Sequence, residues 1–231
     1  MIREIIGATV GTTLSPGKIA EKLEIAQMRE QLNKIQADLD YKPIAINSFT
    51  TNVNSVYEKG AVVNEVVLNW TLSKTPTSQT INGTALDVNA RSAKMTGPFT
   101  STVKFKLVVT DERGADDEDE DTISFVSRIY YGLLADGVEI NSSSIKGLNN
   151  KLQGSRGVTF NVAPTSLMRI AYAIPVSGYG TPTFKGSNGF AVDMYRLDDT
   201  IQVENDLGYV EEYYVLLSTY LQDQASTVIV T

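Results

Sequence analysis

The 231 residues include no cysteine and no histidine. Their joint absence removes disulfides, thiolate nucleophiles, imidazole bases and the usual zinc and iron ligands. A chain without cysteine also suits manufacture in a reducing cytoplasm followed by work outside it, since it neither needs nor risks oxidation. No stretch approaches the roughly 18 apolar residues of a membrane span, and the start, "MIREIIGATVGTTLSPG", lacks the apolar core and cleavage site of a secretory signal. Neither membrane insertion nor signal-directed export is expected. Basic residues are outnumbered, 20 against 27 acids, for a net charge of −7. That balance offers no footprint for nucleic acid. A phosphate-binding loop and a nucleophile elbow are also missing, and "GYGTPT" from Gly178 has neither the third glycine nor the helix of a dinucleotide fingerprint.

The whole negative balance sits in one place. Eight carboxylates against one arginine lie between Asp111 and Asp121, leaving nineteen acids and nineteen bases elsewhere. Strand-like "VKFKLVVT" precedes this run and "DTISFV" follows it, so it reads as a hairpin loop between consecutive strands. Carboxylate-rich loops are the right chemistry for calcium, with Asp116, Asp117, Asp119 and Asp121 as the candidate ligands. The EF-hand spacing with glycine at its sixth position is not met, and a block of like charges ordinarily forms a solvated tip that discourages edge-to-edge pairing. No cofactor is expected.

Upstream, Ser15 as cap, Pro16 in the first turn and Pro43 as stop predict a helix of roughly twenty-four residues. Ile25, Met28, Leu32, Ile35 and Leu39 follow spacings of three and four, the seam of a coiled coil, flanked by Arg29, Gln31, Gln36 and Asp38. Such a helix either bundles with copies of itself or lies on its own domain; its terminal place before a proline break favours bundling.

From Pro43 the pattern changes to period two: Val66, Leu68, Trp70 and Leu72 alternate with Val67, Asn69, Thr71 and Ser73, and Val103, Phe105, Leu107 and Val109 form a second such row. With turn signals at Asn82-Gly83 and Gly97-Pro98, this predicts a β-sandwich whose core holds Trp70. Beyond "SRIYYG", Asn141 or a following serine can cap a short helix carrying Ile145, Leu148 and Leu152 and stopped by Gly154. Five strand-like stretches follow, with Asn188-Gly189 as another hairpin signal. The late carboxylates Asp198, Asp199, Glu211 and Glu212 are the right type for glycoside hydrolysis, but adjacent pairs point to opposite faces of a strand and nothing singles them out. No enzyme is expected.

Three stretches carry a resemblance: "GTTLSPGKIAEKLEIAQ"; "VVTDERG" followed by "TISFVSRIYYG"; and "RIAYAIPVSGYGTPTFKGSNGFAVDMY" followed by "EEYYVLLSTY". Together they resemble structural proteins of tailed bacteriophages, of the tail-fibre, baseplate, neck or head-appendage kind, although the family has a less acidic loop at the position of Asp116 to Asp121. The resemblance implies a non-catalytic virion protein assembled in the host cytoplasm and released by lysis, usually a homotrimer, held to other virion proteins by its N-terminal end. The expected fold is mainly β with an N-terminal α-helix: an attachment segment and coiled-coil-type helix over 1–42, an immunoglobulin-like β-sandwich over 43–128, and a small C-terminal β-rich domain with one short helix over 129–231. Two alternatives stand beside it: a head fibre or decoration protein, and a carbohydrate- or receptor-binding module in which Tyr179 and Tyr195 meet a host-surface glycan.

Overall fold

The computed structural model describes residues 15–231, and the chain is mainly β with one long N-terminal helix and one short later helix. Helix α1 (Pro16–Leu39) leads into the first β unit, formed by β1 (Ile46–Thr51), β2 (Val56–Glu58), β3 (Val63–Leu72), β4 (Ser78–Ile81), β5 (Thr84–Ala85), β6 (Ser92–Phe99), β7 (Val103–Thr110) and β8 (Asp116–Val126). These make two facing sheets, ordered β1-β3-β6 and β2-β8-β7-β4-β5. Strand β2 runs parallel to β8, and the other pairs are antiparallel. The first, third and sixth strands in one sheet, with the last two strands between β2 and the middle pair β4-β5 in the other, make the arrangement of an immunoglobulin-like sandwich.

Period-two alternation fills the space between those sheets. Val66, Leu68 and Trp70 from β3 meet Ile81, Phe105, Leu107, Val109, Ile123 and Phe125 from the opposite sheet. Trp70 is 2% exposed, with Phe49 edge-on to its ring. Its indole N–H donates to Gln79 at 3.1 Å, and the buried Gln79 amide donates in turn to the Ala90 and Asp87 carbonyls. A buried polar side chain is tolerable only when so satisfied. The Asn82-Gly83 hairpin forms as expected between β4 and β5, both residues having positive φ. Gly97-Pro98 is not a turn: it lies within edge strand β6, opposite a break in the β3 register, where a proline interrupts no second ladder.

The second unit follows after Ser127 alone. It comprises β9 (Arg128–Ala135), α2 (Ser142–Lys146), β10 (Asn149–Leu152), β11 (Val158–Val162), β12 (Met168–Pro175), β13 (Phe184–Gly186), β14 (Met194–Arg196), β15 (Ile201–Glu204), β16 (Val210–Ser218) and β17 (Ser226–Val230). Its larger sheet is ordered β10-β9-β12-β16-β14, with β15 also on β16, and its smaller sheet β11-β17-β13. Side chains from the two faces of the large sheet enter separate cores. Ile170, Tyr172 and Ile174 pack with the small sheet, whereas Ala171, Ala173, Val215 and Leu217 pack with Ile145, Leu148 and Val203. This double burial explains why "IAYAIP" reads as a continuous apolar run.

Helix α2 is capped by Asn141 and Ser144 reciprocally, as the sequence suggests, but it ends at Gly147 instead of Gly154. Leu148 is buried beside it, and residues 149–152 turn into β10 along β9. The apolar spacing that looked helical combines one buried helical position, Ile145, with the buried Leu148 just past the helix and the half-buried Leu152 on β10.

Candidate interaction helix and its mooring

Helix α1 is rich in Ala, Leu, Glu, Lys and Gln, the residues that lose least on becoming helical. Ser15 occupies the N-cap position, where its carbonyl accepts from Ile19 at 3.1 Å; its side chain makes no capping bond. None of the 24 residues is buried. Ile25, Met28, Leu32, Ile35 and Leu39 are between 44% and 75% exposed. A helix lying on its own domain would cover that stripe, and this one does not. The part of the attachment segment before Ser15 lies outside the described residues.

Only the last turn touches the sandwich, and it is held by a dense polar joint. The turn between β7 and β8 places Asp111, 2% exposed, beneath the helix end. Tyr41 Oη donates to Asp111 Oδ2 at 2.6 Å, Lys74 Nζ lies 2.9 Å from the same oxygen and the Ile44 N–H donates to it at 3.1 Å. The N–H groups of Arg113 and Ala115 donate to Oδ1 at 2.9 and 3.0 Å. Burial pushes the Asp111 carboxyl up, but the bonds from Tyr41, Lys74 and the Arg113 and Ala115 backbone outweigh it and hold the group well below its ordinary value. Two cations lie over the Tyr41 ring, Lys74 at 4.6 Å and Arg113 at 4.1 Å. Arg113 also reaches the helix, donating to Asp38 at 2.7 Å and to the Ala37 carbonyl at 2.9 Å. That carbonyl belongs to the last turn, where a cation both satisfies an orphan acceptor and meets the negative end of the helix dipole.

The other anticipated residues fall elsewhere. The acidic run is not a loop tip: the turn is confined to 111–115, and Asp116 to Asp121 form the first half of β8, paired residue for residue with β7. Cross-strand lysines stabilise this placement, Lys104 with Glu120 at 2.8 Å and Lys106 with Glu118 at 2.7 Å. On the other face, Asp117 accepts from the Ile46 N–H and Asp121 from the Thr51 N–H, each at 2.7 Å. A strand cannot turn Asp116 and its neighbour Asp117 toward one ion. Among the described residues, no group of three or more carboxylates is placed to share a metal.

Tyr179 is not an exposed contact residue. Its half-buried ring packs against the second unit's core, and its hydroxyl donates to the Gln153 carbonyl at 2.7 Å. Tyr195, on β14, keeps an exposed ring at the rim of a shallow depression beside Arg169 and Asp136. Arg169 is itself committed to Asp136 and to the Ser218 and Thr219 carbonyls. Glu211 is tied to Lys59 at 2.5 Å and accepts from Ser127. Burial lowers the Lys59 pKa and Glu211 raises it, with a net upward shift. Among the described residues, no helix is long and apolar enough to cross a membrane. Comparison with known proteins finds no matching family model, no matching curated protein and no matching solved structure.

Proposed function

We propose that the chain is a non-enzymatic structural component of a tailed-phage virion, which self-associates as a trimer through α1 and presents its two β units away from the point of attachment. The observation that carries this reading is the helix: twenty-four residues without a buried side chain, bearing five exposed apolar residues at coiled-coil spacing. A polar joint fixes its base to the sandwich, so the helix is a built projection and not a frayed end. Sandwiches suit such a role, because their apolar faces stay internal while the loops at their ends are free to vary. The virion assignment rests on the resemblance of the three quoted stretches.

The test is compositional. Particles of a phage that encodes this chain, purified by density gradient, should contain the polypeptide in a multiple of three copies per particle by quantitative mass spectrometry. Its confinement to the lysate supernatant would refute the virion role. A receptor-binding role on the same particle is supported by the exposed Tyr195 ring, and glycan-array binding that disappears with Tyr195→Ala would establish it.

A further inference from the structure

The charged residues of α1 divide by whether the chain itself pairs them. Glu30 and Lys34 form an ion pair one turn apart at 3.4 Å, and Asp38 is taken by Arg113. Lys18, Glu21, Lys22, Glu24 and Arg29 appear in no ion pair among the described residues, and of these Glu24 and Arg29 flank the seam. Five positions apart, they lie about 140° from each other around the helix and do not meet on one face.

Heptad geometry supplies the missing partner. With Ile25, Leu32 and Leu39 at a and Met28 and Ile35 at d, Glu24 stands at g and Arg29 at the following e. In a parallel, in-register bundle each g residue faces the next e residue of the neighbouring helix. Glu24 then meets Arg29, and Gln31 meets Gln36, an uncharged hydrogen-bonding pair. Antiparallel packing of the same seam sets g against g and e against e, so Glu24 faces Asp38, which Arg113 already holds, and Arg29 faces Gln36; neither meets an opposite charge on the facing helix. The central heptad, with Leu32 at a and Ile35 at d, is of the kind that shifts preference from two strands to three or four. Lys18 and Glu21 occupy the preceding a and d positions, so the seam begins at Ile25.

Resting on the self-association proposed above, we infer that α1 packs against α1 of other copies of this chain in parallel and in register, with Glu24 of each copy paired to Arg29 of its neighbour. All β units therefore leave the bundle at one end, beyond Leu39, and the Pro16 ends of the helices gather at the other.

The absence of cysteine makes the test direct, because single cysteines can be placed in the full chain without competition. Under mild oxidation, Ile25→Cys and Leu39→Cys should each form disulfide-linked dimers within the bundle. An equimolar mixture of the two should yield few 25-to-39 links. Disulfides formed only in the mixture, with the assembled mass intact, would overturn the parallel arrangement while leaving self-association standing. Monomeric mass in every variant, with no disulfides, would overturn both. A charge test accompanies this: Glu24→Arg should weaken association about tenfold, as three favourable pairs become repulsive, and Glu24→Arg with Arg29→Glu should restore it. No recovery in the double variant would refute the pairing. Since α1 buries no side chain, circular dichroism of the β units serves as the folding control.

Discussion

Asp111 decides how firmly the helix is held. Five donors converge on one carboxylate that is almost wholly enclosed, so the anion is the favoured form in the folded chain. A carboxyl whose folded value is depressed contributes stability above its ordinary value of 3.8, and that contribution is lost as pH falls below 3.8 toward the folded value. Asp111→Asn keeps the shape, removes the charge and turns one acceptor into a donor facing donors. The variant should melt lower than the parent at neutral pH, and its melting temperature should fall less than the parent's as pH drops from about 5 to about 3. Thermal melts by circular dichroism across that range check this; parallel curves for the two proteins would remove Asp111 from the account. The aspartate was visible in the sequence only as one acid among eight, because its partners Tyr41 and Lys74 come from distant parts of the chain. Trp70 was legible as core from alternation alone, whereas its partner Gln79 was not: nothing in a periodicity marks a buried amide.

The acidic strand shows what pattern reading misses at the scale of an element. Six consecutive acids read as a solvated loop because like charges repel and because acidic residues are poor strand formers. The strand forms all the same, since β7 offers lysines that reach diagonally across to Glu120 and Glu118 and β1 offers N–H groups to Asp117 and Asp121. Strand β2 covers only the last residues of β8, Ser124 to Val126, and Asp117 and Asp121 bridge from its uncovered part to β1. The carboxylates thus close a corner of the sandwich that would otherwise present two open edges. A structural role of this kind needs no ion. Adding millimolar calcium should leave the melting temperature unchanged within a degree or so, whereas Asp117→Ala should cost about 1 kcal/mol in urea unfolding by stranding the Ile46 N–H. A rise of several degrees with calcium would place an ion among these residues after all. The start of α1 at Pro16, its length of about twenty-four residues and its seam residues were legible, whereas it ends at Leu39, short of the Pro43 signal; its exposure was not legible, since an apolar stripe looks the same covered or bare.

At the scale of the molecule, the two β units are joined by more than the one-residue connection at Ser127. Lys59 pairs with Glu211 at 2.5 Å, Arg128 with Glu58 at 2.9 Å, and Asn205 donates to the Lys59 carbonyl at 2.7 Å. Gly60, at φ 95°, lies against the β15–β16 turn so closely that an added Cβ would stand 2.8 Å from the Tyr209 Cβ and 3.2 Å from that of Leu207. Neither neighbour is the free end of a flexible side chain, so Gly60→Ala forces backbone movement on top of an unfavourable φ. It should cost about 1 to 3 kcal/mol and loosen the joint. Small-angle scattering should show a larger radius of gyration for the variant; unchanged stability and dimensions would mean that the units do not depend on this contact. These contacts hold the two units to each other and the Asp111 joint holds the base of the helix, so several copies on one bundle would present weak surface contacts together.

The central claim is that the bare seam of α1 is an assembly surface. Light scattering of the full chain, beside a variant carrying Leu32→Asp and Ile35→Asp, tests it most directly. The account predicts three times the chain mass of 25.2 kDa for the parent and a single chain mass for the variant, with the β units folded in both. A parent that stays at one chain mass across the accessible concentration range, or a variant that assembles as the parent does, would contradict it.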